Sequence, residues 1–248
     1  MSLLNRIALV SGAGQGMGLG IAKQLASDGA LVLVNDIDAD RAAAAAQLII
    51  DAGGRAEAAP FDVTCIDTVL AAVAELEGRV GGIDILVNNA GNAGSGPMHM
   101  LPFKDMPHEE WDKYLGVNLY GVLNCCKAVV NGMCDRGWGR LITISSEAGR
   151  VGLDINVSLY GVAKAGGAHL MRHLARELGP HGVTANVISL GLMDNVPEEF
   201  AGPVIRTIPM RRLGAPDDAA NAVSFLASDA ASWVTGQTLP VNGGSFAF

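Results

Sequence analysis

The segment IALVSGAGQGMG, residues 7–18, joins a short apolar strand to a glycine-rich turn and the start of a helix. Ile7–Val10 has the composition of a buried strand, and helical periodicity follows the turn as far as about Asp28. Glycines permit a sharp turn and a close approach of the backbone to a ligand, and the helix N-terminus offers free N–H groups to an anion. In this position the turn predicts a site for the pyrophosphate of a dinucleotide.

The order of strand, turn and helix is repeated along the chain, which predicts a parallel sheet with helices on both faces. Since neither a linker nor a run of charges interrupts it, residues 1–248 are predicted to form one domain, an α/β fold with a Rossmann-type doubly wound parallel sheet. The predicted strands are Ile7–Val10, Leu31–Asn35, Arg55–Phe61, Ile83–Asn88, Arg140–Ser145, Val183–Ser189 and Thr238–Val241. The predicted helices after the first are Asp40–Ala52, about Ile66–Arg79, about His108–Asp135, roughly Ser158–Leu178 and about Pro216–Leu226.

The composition excludes several classes of function. The 248-residue chain is 50% hydrophobic and 17% charged, and its net charge of −8 comes without a cluster of Lys and Arg, so we expect no nucleic acid as a partner. We find no signal peptide and no apolar stretch of the roughly 20 residues that a membrane span needs. The four cysteines lack zinc spacing and the five histidines are scattered, which indicates a cytoplasmic protein with reduced thiols and no metal site.

Asp36 ends the second predicted strand, 18 residues after Gly18. An acidic side chain at this point accepts hydrogen bonds from the ribose hydroxyls of the adenosine and would repel a 2′-phosphate. The glycine turn contains no Lys or Arg, and the nearest basic residue after Asp36 is Arg41, so the sequence favours NAD over NADP. The alternative is that Asp36 only caps a turn or a helix.

Tyr160 and Lys164 lie four residues apart on a predicted helix and therefore share one face. A nearby ammonium group lowers the pKa of a tyrosine from about 10, which makes the pair a proton donor and acceptor for a carbonyl/alcohol couple. Such a pair alone is common by chance. Its weight comes from Ser145 and Ser146, which end a strand at the same carboxyl edge of the sheet as the glycine turn and Asp36.

The motifs, taken in order, are similar to those of the short-chain dehydrogenase/reductase family over nearly the whole chain. The matching segments are Gly12-x-x-x-Gly16-x-Gly18, Asn88-Asn89-Ala90-Gly91, Val117-Asn118-Leu119, Ser146, Tyr160, Lys164, Thr235-Gly236 and Asn242-Gly243-Gly244. The resemblance implies a nicotinamide-dependent alcohol dehydrogenase or ketone reductase that acts as a homotetramer. It also implies a catalytic tetrad of Asn118, Ser146, Tyr160 and Lys164.

The resemblance assigns each tetrad residue a role. Tyr160 would exchange a proton with the substrate oxygen, and Lys164 would lower the pKa of Tyr160 and hold the nicotinamide ribose. Ser146 would orient the substrate oxygen, and Asn118 would hold a water that links Lys164 to solvent. Hydride would pass between the substrate carbon and the nicotinamide. The predicted cofactor-binding residues are Gly12, Gln15, Gly16, Met17, Gly18, Asp36, Ile37, Asp62, Val63, Asn89, Ala90, Gly91, Tyr160, Lys164, Gly191 and Met193.

Four positions and one spacing depart from the family pattern. Ser11 replaces a commoner threonine, a mild change that keeps a hydroxyl. The spacing from Ser146 to Tyr160 is one residue longer than usual, which leaves Ser145 as an alternative to Ser146. Leu190 stands where a proline precedes the glycine, and Asn195 where a threonine often contacts the carboxamide of the nicotinamide. Asn242 replaces a common Asp near the end of the chain, and no functional conclusion follows from the sequence there.

Two irregular segments, 92–103 and 192–212, are predicted to wall the substrate side, because such loops vary specificity. Their methionines and other apolar residues indicate a secondary alcohol or ketone of largely apolar character as substrate. Packing of the loops alone explains the same residues equally well. A 3-oxoacyl-carrier-protein reductase is a second interpretation, which the acidic net charge and the NAD signature disfavour. A third is a non-catalytic NAD(H)-binding regulatory protein, which need not retain all four tetrad residues.

Overall fold

The computed structural model describes residues 2–91, 98–194 and 198–247. These residues contain one sheet of seven parallel strands in the order β3-β2-β1-β4-β5-β6-β7. The strands are β1 (Ile7–Val10), β2 (Leu31–Val34), β3 (Arg55–Ala58), β4 (Ile85–Asn88), β5 (Gly139–Ser146), β6 (Val183–Leu190) and β7 (Thr238–Val241). The predicted single-domain, doubly wound parallel sheet is therefore confirmed.

Helices cover both faces of the sheet. They are α1 (Gly16–Ser27), α2 (Ala39–Asp51), α3 (Ile66–Val80), α4 (Trp111–Leu115), α5 (Gly121–Arg136), α6 (Ser158–Leu178), α7 (Glu198–Ile205) and α8 (Pro216–Ala227). Within the described residues, none of them is long and apolar enough to cross a membrane.

Alternating side chains of the strands divide the core into two clusters. Ala8 and Val10 of β1 pack with α1, α2 and α8, whereas Leu9 packs with α3, α5 and α6 on the opposite face. This alternation follows from the two-residue period of a strand, and burial of both faces explains why the strand sequences are almost continuously apolar.

The strand order reverses between β1 and β4. From β1 the chain adds β2 and β3 on one side, and from β4 it adds β5, β6 and β7 on the other. Connections on either side of this point leave in opposite directions, which opens a crevice at the carboxyl ends of the strands. The sheet order therefore places any ligand site next to the glycine turn that follows β1.

Three elements differ from the predictions by more than two residues. Strand β3 ends at Ala58 rather than Phe61, because Ala59 donates the last ladder bond to Val34 O and Pro60 has no N–H. The segment 192–212, predicted to be irregular, contains α7, whose helical pattern is masked by Gly202 and Pro203. The third difference concerns the helix predicted for 108–135.

The predicted helix 108–135 is divided in the structure. A single turn of 3₁₀-helix, His108–Glu110, precedes α4, and a π-helical segment, Gly116–Tyr120, separates α4 from α5. A π-helical turn holds one residue more than an α-helical turn, which changes the direction of the side chains within it. Asn118, one of the predicted tetrad residues, lies in this segment and is buried.

Candidate active site

A cleft of about 800 Å³ runs along the carboxyl edge of the sheet. All the predicted catalytic and cofactor-binding residues line it except Asn118, which lies behind the wall. Those that line it are Gly12, Gln15, Gly16, Met17, Gly18, Asp36, Ile37, Asp62, Val63, Asn89, Ala90, Gly91, Ser146, Tyr160, Lys164, Gly191 and Met193. The fold thus brings together segments that are far apart in the sequence.

The glycine turn lies directly against the segment that follows β4. A Cβ atom built on Gly12 would lie 2.8 Å from Ala90 Cα, and the backbone of Gly12 has a φ of +61°. The side-chain amide of Asn89 donates to Ser11 O and Gly12 O at 2.9 and 3.0 Å. Ser11 Oγ in turn accepts from the N–H groups of Asn89 and Ala90, at 3.0 Å each. These contacts leave room only for glycine at position 12 and fix the path of both segments.

The beginning of α1 fits a phosphate group. The residue preceding the helix is Gln15, whose side chain makes no capping hydrogen bond to the described backbone. The first turn of α1 contains no acidic residue. Its unpaired N–H groups and the helix dipole therefore favour an anion in the cleft, as a dinucleotide pyrophosphate would supply.

Asp36 is buried at the end of β2 and has several donors around it. Its carboxylate accepts from Gly14 N–H at 3.2 Å and from Asp38 N–H at 3.0 Å. Arg41 Nη2 donates to it at 2.6 Å, and the Arg41 side chain is 39% exposed on the wall of the cleft. The prediction placed Asp36 correctly in the cleft but did not foresee this ion pair, because its partner lies on the first turn of the next helix.

The segment after β3 forms another wall of the cleft. Asp62 Oδ1 accepts from both the N–H and the hydroxyl of Thr64, each at 2.8 Å. Asn124 of α5 donates to Val63 O at 2.9 Å. These bonds hold the Asp62–Val63 backbone at the cleft, where the family resemblance places cofactor-binding residues.

The two serines that end β5 have different surroundings. Ser145 is buried, and its hydroxyl donates to Lys164 O at 3.2 Å. Ser146 Oγ accepts from Ala148 N–H at 3.2 Å, and Ser146 lines the cleft beside Tyr160, whose pKa its hydroxyl lowers. The geometry therefore favours Ser146 over Ser145 as the partner of Tyr160, despite the longer spacing in the sequence.

Lys164 and Asn118 approach each other beside Gly91. Lys164 Nζ donates to Ile144 O at 2.9 Å, and the side-chain amide of Asn118 donates to Tyr114 O at 2.9 Å. A Cβ atom on Gly91 would lie 2.7 Å from Lys164 Nζ and 2.9 Å from Asn118 Oδ1. A side chain at position 91 would thus displace both groups, so the glycine is required by the site itself.

Burial shifts the pKa of the two central ionisable groups in opposite directions. It lowers the pKa of Lys164 from 10.5 to about 8, because the low-polarity interior disfavours the ammonium. It raises the pKa of Tyr160 above 10.0, and the hydrogen bond with Ser146 offsets part of that rise. Lys164 Nζ lies 5.6 Å from the centre of the Tyr160 ring. In this structure burial outweighs any influence of the ammonium on Tyr160, contrary to the expected lowering.

The substrate side is only partly described. Met98 and Tyr160 both pack against Tyr114 and Leu159, and Leu192 and Met193 line the cleft. In contrast, Met100 and Phe103 are more than half exposed. Residues 92–97 and Asn195, which the sequence also assigned to this side, lie outside the described residues.

The C-terminal segment packs on the Gly191 wall of the cleft and gives Asn242 a structural role. A Cβ atom on Gly191 would lie 2.7 Å from Asn242 Cα, so the two backbones are in contact. The Asn242 side-chain amide donates to Glu147 Oε1 at 3.3 Å and to Phe246 O at 3.0 Å. Glu147 is buried one residue beyond Ser146, although nothing in the sequence marked it as more than a loop residue.

Metal binding receives no support from the described residues, among which no group of three or more His, Cys, Asp or Glu side chains is placed to hold an ion. All four cysteines are free thiols.

Comparison with known proteins identifies the relatives of this chain. A family model described as "Enoyl-(Acyl carrier protein) reductase" matches residues 12–245. The chain is 39% identical to acetoacetyl-CoA reductase of Allochromatium vinosum, over 97% of this chain and 98% of that protein. It is 37% identical to 7alpha-hydroxysteroid dehydrogenase of Escherichia coli, over 98% of this chain and 95% of that protein. A solved gluconate 5-dehydrogenase from Burkholderia cenocepacia, in complex with NADP and tartrate, matches with a TM-score of 0.92 and 34% identity, over 98% and 96% of the two chains.

The buried Lys164 is predicted to cost the fold stability. Its pKa is about 8 in the folded protein and near 10.5 when unfolded, so burial of the charge is unfavourable at all pH values below about 8. The cost fades as the pH rises from about 8 to 10.5. Lys164→Met should therefore raise the free energy of unfolding by roughly 1–3 kcal/mol near neutral pH, and by less near pH 10.

Urea unfolding at both pH values measures this difference. Lys127→Met is the matched control, because Lys127 is exposed on α5 and its loss should leave the stability nearly unchanged. A Lys164→Met protein no more stable than wild type near neutral pH would contradict the prediction.

Proposed function

We propose that this chain, which belongs to the short-chain dehydrogenase/reductase family, transfers a hydride between NAD(H) and a secondary alcohol or ketone of largely apolar character. The family establishes the coarser activity, that of a nucleotide-dependent oxidoreductase. The observation that carries the proposal is that Ser146, Tyr160 and the buried Lys164 line the same cleft as the glycine turn and Asp36.

Tyr160 is the proposed proton donor and acceptor. Its raised pKa keeps the phenol protonated near neutrality, so the O–H group can donate to a substrate carbonyl oxygen as that oxygen gains negative charge. In the opposite direction Tyr160 takes the proton of the alcohol. Bound NAD(H) supplies or accepts the hydride.

Ser146 and Lys164 support that proton transfer. The Ser146 hydroxyl lines the cleft together with Tyr160 and offers a second donor to the substrate oxygen. The Lys164 ammonium stabilises the phenolate when Tyr160 has lost its proton, and its fixed contact with Ile144 O limits its movement. Asn118 lies on the far side of Gly91 from the cleft and is the proposed link between Lys164 and solvent.

The residues of the cleft fit a dinucleotide. The close backbone approach at Gly12 and the open N-terminus of α1 suit a pyrophosphate, and the Asp62–Val63 and Asn89–Gly91 backbones provide walls for the adenosine and the nicotinamide half. Asp36 is placed to accept from the adenosine ribose hydroxyls, which supports NAD as the cofactor.

NADP is the second candidate cofactor. Arg41 lies on the wall of the cleft next to Asp36, and an arginine can exchange a carboxylate partner for a phosphate. The gluconate 5-dehydrogenase of similar structure holds NADP. NAD is favoured because Asp36 would have to lose its contact with Arg41 and still face the added phosphate.

The proposed substrate is apolar, because Leu192 and Met193 line the cleft and Met98 packs on the same Tyr114–Leu159 cluster as Tyr160. The similarity to a hydroxysteroid dehydrogenase favours the same class. A 3-oxoacyl thioester is the second candidate, favoured by the similarity to acetoacetyl-CoA reductase. An acidic carrier protein would meet a chain of net charge −8, which disfavours that form of the thioester.

The cellular compartment and the oligomeric state of the enzyme are also proposals. Four free thiols, two of them buried, suit a reducing compartment, so we place the enzyme in the cytoplasm. The assembly is proposed to be a homotetramer by resemblance to the family. Light scattering should then give four times the chain mass of 25.6 kDa, and a monomer mass would refute it.

Tyr160→Phe should lower kcat for ketone reduction by roughly a hundredfold to ten-thousandfold, because phenylalanine has no proton to donate. NADH binding should be unchanged. The assay measures NADH oxidation with small, cyclic, aromatic and steroid ketones and a 3-oxoacyl thioester.

Tyr120→Phe is the matched control, since Tyr120 is 54% exposed and does not line the cleft. Retained turnover in Tyr160→Phe would refute the assigned role, and NADH binding without turnover by the wild type would favour the non-catalytic interpretation.

Asp36→Ala should raise the KM for NADH about tenfold, because the ribose loses a charged acceptor. The same change releases Arg41 Nη2 from position 36, while Arg41 Nη1 keeps its contact with Asp38 at 3.3 Å, and should improve use of NADPH. Asp51→Ala, at the exposed far end of α2, serves as the control for removal of a carboxylate outside the cleft. If the ratio of kcat/KM for NADH and NADPH stays the same in Asp36→Ala, Asp36 does not select the cofactor.

A further inference from the structure

Glu147 is a buried carboxylate that takes no part in the mechanism above. It is 2% exposed, and burial of a carboxylate is costly unless donors surround it. Ser189 Oγ donates to Glu147 Oε1 at 3.0 Å, and Asn242 Nδ2 donates to the same atom at 3.3 Å. Arg150 Nη1 contacts both carboxylate oxygens, at 3.1 and 3.2 Å. All three partners present donors, so both oxygens at position 147 must accept hydrogen bonds. A carboxylate meets this need, whereas a glutamine of the same shape would place an N–H donor against Arg150.

The partners of Glu147 belong to segments that surround the catalytic end of the cleft. Ser189 lies near the end of β6, just before Gly191 and Met193 of the cleft wall. Asn242 belongs to the C-terminal segment, which packs on Gly191. The carboxylate therefore joins the turn that follows β5 to one wall of the cleft and to the segment that packs on that wall.

The opposite side of this turn packs on the helix that carries Tyr160 and Lys164. A Cβ atom on Gly149 would lie 3.0 Å from the backbone of Lys164, and one on Gly161 would lie 2.7 Å from Ala148 O. The turn, a single 3₁₀ turn over Glu147–Gly149, is thus held between α6 and the Glu147 contacts. Because Ser146 immediately precedes it, a shift of the turn changes the distance between Ser146 and Tyr160.

We propose that Glu147 is a positioning residue, which fixes Ser146 against Tyr160 and fixes the Gly191 wall through its bonds to Ser189, Asn242 and Arg150. This proposal rests on the proposed function. It also gives a reason for an amide at position 242. A carboxylate there would place two negative groups about 3.3 Å apart in a buried site, in place of a hydrogen bond.

The test moves the negative charge from position 147 to position 242. Glu147→Gln places an amide nitrogen against Arg150, and Asn242→Asp places a carboxylate against Glu147. Each should lower kcat on the order of tenfold to a hundredfold, because a small misplacement of reacting groups has an effect of that size. The double variant restores one donor and one charged acceptor between the two positions, so its kcat should exceed that of Asn242→Asp several-fold.

Two further variants complete the design. Ser189→Ala removes one donor with little change in volume, and it should lower kcat by a smaller factor in a protein that folds even if Glu147→Gln does not. Glu57→Gln is the control, since it makes the same chemical change in the Glu57–Arg79 pair on β3, at the far edge of the sheet. Its kcat should equal that of the wild type.

A purely structural role gives a different result. In that case the melting temperature falls while kcat per folded molecule stays at the wild-type value, or the double variant is no better than Asn242→Asp, and either outcome overturns the proposal.

A second readout is independent of turnover. Glu147→Gln should reduce the fluorescence enhancement of bound NADH while its affinity for ADP-ribose, which lacks the nicotinamide, stays unchanged.

The fluorescence of bound NADH distinguishes failure of the proposed function from failure of the positioning role of Glu147. If the wild type binds NADH but reduces no ketone, the proposed function fails, and the fluorescence of bound NADH in Glu147→Gln decides on Glu147 alone. An enhancement equal to that of the wild type then overturns the positioning role, and a reduced enhancement supports it.

Discussion

The turn after β1 and the segment after β4 are in direct backbone contact, and the remainder of the site depends on that contact. No side chain fits between Gly12 and Ala90, and the Asn89 amide and the Ser11 hydroxyl join the two segments by reciprocal hydrogen bonds. The contact lies where the strand order reverses, so it fixes the floor of the crevice from which the other walls extend. A parallel sheet provides such a floor only where two neighbouring strands send their connections in opposite directions.

The catalytic end of the cleft is held by groups that the fold buries at a cost. The buried Lys164 is an amine whose pKa is lowered by burial. Glu147 is a buried carboxylate on the opposite side of the turn Glu147–Gly149. Each is held by backbone or side-chain partners, so the cost of desolvation is offset only in this one arrangement. A site of this kind gains rigidity from its polar contacts and not from apolar packing.

Patterns within one element could be predicted from the sequence, and contacts between distant elements could not. The ranges of β1, α6 and β7 agree with the predictions, because apolar periodicity and flanking turn residues mark both ends. The same periodicity does not show the π-helical segment, since one extra residue in a long helix barely changes the apolar pattern.

The catalytic residues could be predicted from sequence motifs, but the residues that hold them in place could not. Ser146, Tyr160 and Lys164 could be found through the order of motifs, whereas Glu147 could not, because its partners lie 42 and 95 residues away at Ser189 and Asn242. The ion pair between Asp36 and Arg41 was also missed, although the two residues are close in sequence. A side chain that folds back across a helix start leaves no periodic signal.

The π-helical segment limits how this part of the chain can change during evolution. It places one additional residue between α4 and α5, so a single deletion within Gly116–Tyr120 would rotate α4 by about 100° relative to α5. That rotation would turn Tyr114 out of its buried position and carry Asn118 away from Lys164 at the same time. Substitutions in this stretch can therefore accumulate one at a time during evolution. A change of its length requires compensating changes on both helices at once.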